Sequence, residues 1–130
     1  MSIAWNHSGG GTTAFFGAAP NGANGILVTS TGGNQTIQTN VISGNTGNGI
    51  EISGNAWGVS IVPNIVGLDT RGDGAFPNGG SGIVFSGNAH DNFVGGTDLI
   101  GNLSVIRQNT VSGNAGYGIE ITGAAYNNVI

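Results

Sequence analysis

At 130 residues the chain has length for one hydrophobic core rather than two. Twenty-seven glycines, no cysteine, no lysine, two arginines (Arg71 and Arg107) and six carboxylates leave a formal net charge of −4. That balance argues against a nucleic-acid or anionic-membrane partner, since both need clustered Lys and Arg, while regularly placed Ile, Val and Phe argue against disorder.

The opening stretch, MSIAWNHSGGG, has neither a basic segment nor an apolar run, and no run elsewhere approaches membrane-spanning length. The absence of cysteine fits a protein exported without disulfides, as it fits many others. The first clear strand is GILVT at 25–29, and its form recurs as GIEIS at 49–53, GIVFS at 82–86 and GIEIT at 118–122, with starts 24, 33 and 36 residues apart. A second strand form, Ile-x-x-Asn-x-[Ile/Val], lies between them: Ile37, Asn40 and Ile42, then Ile61, Asn64 and Val66, then Ile106, Asn109 and Val111.

Longer blocks repeat too. APNGANGILVTS at 19–30 returns as FPNGGSGIVFSG at 76–87, an offset of 57, and NVISGNTGNGIEISG at 40–54 returns as NTVSGNAGYGIEITG at 109–123, an offset of 69. The difference of 12 places an insertion between Val94 and Ile106, and LDTRGDGAFPNGG marks another. At the end, Asn128 and Val129 follow the Gly118 strand as Asn92 and Phe93 follow the Gly82 strand, so the chain stops partway through a repeat without a polar cap.

Within each strand the apolar residues alternate. Ile50 and Ile52 share one face and Glu51 takes the other, as do Ile26 with Val28, Ile83 with Phe85 and Ile119 with Ile121. Helical spacing is absent, and each glycine would cost about 1 kcal/mol inside a helix. Short strands with one inward face, joined by Gly/Asn turns and repeated at solenoid intervals, predict an all-β parallel β-helix. Its coils would hold about two dozen residues, with loop insertions near 68–80 and 95–105. One segment of about five coils with open ends would span 1–130, clear over 19–130 and weaker over 1–18. Ile26, Ile50, Ile83 and Ile119 would form an interior ladder, and Asn40, Asn64 and Asn109 another at a bend, where Asn tolerates left-handed angles.

NVISGNTGNGIEISG, NIVGLDTRGDGAFPNGGSGIVFSGN and DNFVGGT resemble the right-handed parallel β-helix repeats of very large exported bacterial surface proteins, both adhesin-like and autotransporter-like. The resemblance runs from about Pro20 to Ile130 and more weakly over SIAWN, where Ile3 and Asn6 sit like Ile37 and Asn40. It implies right-handed coiling and an elongated rod outside the cell or on the bacterial surface. The expected partners are flanking coils of a longer chain or end-to-end copies, and surface glycans as a further class.

The chemistry-bearing residues are sparse. Polysaccharide lyases and hydrolases also use this fold, so Glu51 and Glu120, two coils and about 10 Å apart with Val84 between, are a candidate carboxylate pair. Equivalent repeat positions are, however, usually alike for structural reasons. Arg107, at the place of Gln38 and Val62, reads as solvent-facing. Asp69 and Asp73 in LDTRGDG are candidate calcium ligands, though two carboxylates are few for that ion; otherwise no cofactor is expected. Arg71, Gly72 and Asp73 spell a recognition tripeptide on an insertion loop, in an ordinary turn composition. His7 and His90 are isolated loop residues without metal-ligand spacing. Trp5, Trp57, Tyr117 and Tyr126 are candidates for sugar stacking or for turn packing, and Asn6, Asn34 and Asn102 are glycosylation sequons. Two readings follow. One is a non-enzymatic structural or adhesive segment, a rigid spacer or self-associating unit; the other is a carbohydrate-binding or polysaccharide-degrading β-helix.

Overall fold

The computed structural model describes residues 2–4, 7–8, 21–30, 33–100 and 102–130. Most of the weaker repeat expected over 1–18, with Trp5 and Asn6, lies outside them. The described residues hold strands and turns and no helix, so none is long and apolar enough to cross a membrane. In chain order the strands begin with β1 (Ser2–Ala4), β2 (His7–Ser8), β3 (Ile26–Val28), β4 (Gln35–Gln38) and β5 (Val41–Ile42). They continue with β6 (Ile50–Ile52), β7 (Val59–Ile61), β8 (Ile65–Val66), β9 (Ile83–Phe85) and β10 (Phe93–Val94). The last are β11 (Thr97–Ile100), β12 (Leu103–Ile106), β13 (Thr110–Val111) and β14 (Ile119–Ile121).

Twelve of these make three four-stranded parallel sheets, ordered β1-β4-β7-β10, β2-β5-β8-β13 and β3-β6-β9-β14. The chain gives one strand to each sheet in rotation, and each such pass is here termed a circuit. Parallel pairing in register explains the repeat: a residue meets its own counterpart one circuit away, so each position must suit itself. Ile26 pairs with Ile50, Ile50 with Ile83 and Ile83 with Ile119. Val28, Ile52, Phe85 and Ile121 form the neighbouring column, and Ile37 pairs with Ile61 in the first sheet. With Ile42 and Val66 from the second sheet, these side chains, except the exposed Ile121 and the half-buried Ile119 at the margin, form one buried apolar core. Complete burial of each is worth about 1.5–3 kcal/mol.

The turns after β6, β9 and β14 require glycine, where the turn after β3 carries Ser30. Gly54, Gly87 and Gly123 hold φ of 62°, 61° and 68°, in the left-handed region, and a Cβ on Gly54 would lie 2.4 Å from the Thr29 carbonyl oxygen.

The insertion after Val94 is more ordered than a loop. It folds on itself as an antiparallel hairpin of β11 and β12, with Thr97 opposite Ile106 and Ile100 opposite Leu103. This changes one expected equivalence. Val94, not Ile106, pairs with Ile61 and packs on the core, whereas Ile106 is exposed on the hairpin. Arg107 likewise does not take the place of Val62, which belongs to Gly95; Arg107 leaves the hairpin half-buried, its N–H donating to the Gly96 carbonyl. The earlier insertion, around 69–74, is closed by an antiparallel bridge between Leu68 and Ala75.

Candidate functional site

Three columns of asparagine run along the sheet corners, and all point their amides the same way. Asn40 donates through its backbone N–H and Nδ2 to Asn64 Oδ1 (3.0 and 2.9 Å), and Asn64 does the same to Asn109 Oδ1 (2.8 and 3.0 Å). Each upper amide answers by donating Nδ2 to a carbonyl of the circuit below: Asn64 to Ile37 and Asn109 to Ile61. In the second column Asn21 donates to Asn45, Asn45 to Asn78 and Asn78 to Asn114, always onto Oδ1. In the third, Asn92 donates through N–H and Nδ2 to Asn128 Oδ1. Asn40, Asn45, Asn64, Asn78 and Asn92 are buried, and the bonds satisfy groups that would each cost about 1–3 kcal/mol if left unpaired.

The second and third columns are absent from the Ile-x-x-Asn strand form, yet both had a signal: Asn92 and Asn128 stand at the same interval after Gly82 and Gly118. Asn45 and Asn114 occupy the same place in the fifteen-residue repeat, and Asn78 follows Pro77 as Asn21 follows Pro20.

The columns end at the circuit of β10, β13 and β14, together with the segment through Tyr126 and Val129 that bridges to His90 and Phe93. Here the core positions open. Ile121 is 49% exposed where Ile52 and Phe85 are 0%, and Val129 and Ile130 are exposed beside it. Glycine shows the same change. A Cβ on Gly25, Gly49 or Gly82 would come within 2.7 Å of the carbonyl oxygen of the next glycine in the column, whereas on Gly118 it would meet nothing within 4 Å. Among the described residues, the backbone N–H groups of Asn109, Asn114 and Asn128 meet no acceptor, although those of Asn64, Asn45 and Asn92 all do. This C-terminal edge therefore combines half-exposed apolar columns, strand edges and outward N–H donors.

The other candidates lie apart from it. Glu51 and Glu120 share a column through Val84, as their register requires. Glu51 Oε2 accepts from Asn24 Nδ2 (2.7 Å) and Asn48 Nδ2 (3.1 Å), and Oε1 from Ser86 Oγ (2.9 Å). Glu120 accepts from Ser81 Oγ at 2.7 Å. Both carboxylates thus tie one circuit to another, and neither is simply outward: both are half-buried.

Asp69 Oδ1 accepts the backbone N–H groups of Arg71 (3.0 Å), Gly72 (2.9 Å) and Asp73 (3.3 Å), which folds the insertion over its own carboxylate. Desolvation is the largest single influence on this carboxyl and raises its pKa, but the N–H groups of Gly74, Asp73, Arg71 and Gly72 together outweigh it, leaving the value below the ordinary 3.8. The side chains of Arg71 and Asp73 are exposed at the tip, around Gly72 with φ of 78°. Among the described residues no three His, Cys, Asp or Glu side chains gather as metal ligands would.

Trp57, His90 and Tyr126 form a column bridged in parallel, and the His90 and Tyr126 rings stack face to face, 4.9 Å apart and 3° from parallel. His90 and Tyr126 thus turn one face each toward the other. Tyr117 stands separately and exposed. Compared with known proteins, the chain matches no family model, no curated protein and no solved structure.

Proposed function

We propose that the chain is a segment of a right-handed parallel β-helix with a structural role outside the cell, a rigid spacer whose edges join further coils. Each circuit is read as one coil, and right-handed winding is the sense that parallel strand-to-strand crossovers adopt almost without exception. The observation that carries the reading is the in-register stacking of like on like, Ile26, Ile50, Ile83 and Ile119 in one column and Asn40, Asn64 and Asn109 in another. Paired parallel strands resist axial slip because each residue would leave its own kind, as a spacer requires. The reading is non-enzymatic: Glu51 already holds three hydrogen-bond donors, and the Glu120 carboxylate is bonded to Ser81. A carbohydrate platform has less support, since His90 and Tyr126 spend one ring face each on the other.

Negative-stain electron microscopy over a range of protein concentrations tests the role. Rods of constant width whose length grows with concentration are expected; compact particles of fixed size at every concentration would contradict it.

A further inference from the structure

We infer that Asn21 is a site of spontaneous deamidation to aspartate and isoaspartate, and that stacking of the circuits closes the other Asn-Gly steps of the chain, at Asn24, Asn48 and Asn78, to the same reaction.

Asparagine before glycine is the step most open to this chemistry, because glycine has no side chain to shield its nitrogen. The glycine nitrogen attacks the asparagine Cγ. A new N–Cγ bond closes a succinimide ring, the Cγ–Nδ2 bond breaks, and ammonia leaves with the proton that the glycine nitrogen gave up. Water then opens the ring at one carbonyl or the other, leaving an aspartyl or an isoaspartyl residue. The reaction therefore needs an amide free to turn and a glycine N–H released from its acceptor.

Neither need is met at the stacked steps. Asn24 donates Nδ2 to Glu51 Oε2 (2.7 Å) and accepts the Asn48 N–H on Oδ1 (2.8 Å), while the Gly25 N–H is held by the Asn48 carbonyl (2.9 Å). Asn48 donates Nδ2 to Glu51 Oε2 (3.1 Å) and accepts the Ser81 N–H (2.9 Å), and the Gly49 N–H is held by the Ser81 carbonyl (2.9 Å). Asn78 is buried, spends Nδ2 on Ile42 and Asn114 and Oδ1 on Asn45, and the Gly79 N–H is held by the Asn45 carbonyl (2.8 Å). Each of these steps reacts only when neighbouring circuits part.

Asn21 differs at its glycine. Its Nδ2 donates to Asn45 Oδ1 (3.0 Å), but among the described residues the Gly22 N–H meets no acceptor. Both residues are exposed, and a Cβ on Gly22 would meet nothing within 4 Å, so the attacking nitrogen is uncrowded. Conversion would replace the Nδ2 donor with a carboxylate oxygen facing Asn45 Oδ1. Asn45 has no amide to offer in return, since its Nδ2 is spent on Asn78 (2.8 Å), so the first rung is lost and the rungs below it remain.

The native chain is incubated at mildly alkaline pH beside the same chain in concentrated urea, and peptide mass spectrometry follows each Asn-Gly step. In the native chain Asn21 is expected to convert about tenfold or more faster than Asn24, Asn48 or Asn78, with similar rates at all of them in urea. Gly22→Ala adds a Cβ without contact, and should suppress conversion at Asn21 while leaving the circular dichroism unchanged. Native conversion at Asn48 or Asn78 as fast as at Asn21 would overturn the inference. So would an Asn21 as slow as those two, or a Gly22→Ala variant that converts at the native rate.

Discussion

The circuit of β7, β8 and β9 and the circuit of β10, β13 and β14 are written with nearly the same residues and live in different surroundings. In the first, Ile61, Val66, Ile83 and Phe85 are all at 0% exposure; in the second, their counterparts Val94, Val111 and Ile119 are half-buried and Ile121 is 49% exposed. Asn64 and Asn78 are buried with donors spent both ways, while Asn109 and Asn114 are bonded mainly from below. Sequence sets what a circuit can bond to, and the presence of a neighbour decides how much of that is realised. In a repeat architecture stability is accordingly a sum over interfaces between neighbours.

Substitutions at matched positions should separate the two circuits. The largest contrast is expected for Phe85→Ala against Ile121→Ala: about 3–5 kcal/mol lost for the first and about 1 kcal/mol or less for the second, by urea denaturation. Equal losses would mean that Ile121 is covered in solution. Next comes the glycine column. Gly82→Ala places a Cβ 2.4 Å from Val111 Cγ1 and 2.6 Å from the Gly118 carbonyl, and should cost about 1–3 kcal/mol as overpacking. Gly118→Ala meets no atom, and should leave the unfolding midpoint of the isolated chain unchanged within about 0.5 kcal/mol.

Smaller still is the asparagine pair. Asn78→Ala removes the acceptor of the Asn45 N–H and Nδ2 together with its own donors to Ile42 and Asn114, at about 1–3 kcal/mol, while Asn114→Ala removes one short bond, from Asn78 Nδ2, and two long ones of 3.3 Å, and should cost about 1 kcal/mol. The smallest effect lies on the Asp69 loop, outside the comparison. Its carboxyl has a lowered pKa when folded, so it contributes stability above the unfolded value and loses it as pH falls through the folded one. In acid titrations followed by circular dichroism, the native chain should lose its advantage over Asp69→Asn below the ordinary 3.8; a parallel decline of both would remove the loop carboxylate from the account.

Much of this was legible in the sequence, for a physical reason. Parallel in-register pairing forces like onto like, so the columns of Ile26 and of Asn40 appear as periodic text. The misread residue was Ile106. Its stretch, Ile-x-x-Asn-x-Val, matches the strand form, but Val94 competes for the same slot, and the winner depends on where the extra residues loop out. That is settled by pairing between β11 and β12, which leaves no mark in the repeat. Glu51 was read as outward from alternation alone; its half-burial comes from Asn24, Asn48 and Ser86, which the backbone brings to it from three circuits.

The central claim is that each position stacks on its own counterpart one circuit away, and a cysteine pair at Leu27 and Glu51 tests it most directly, since the native chain has no cysteine and these two residues are register partners. The account predicts that mild oxidation closes a disulfide within the Leu27→Cys/Glu51→Cys chain and not within Leu27→Cys/Ser53→Cys, whose positions lie two residues out of register. Equal yields from the two variants would contradict it.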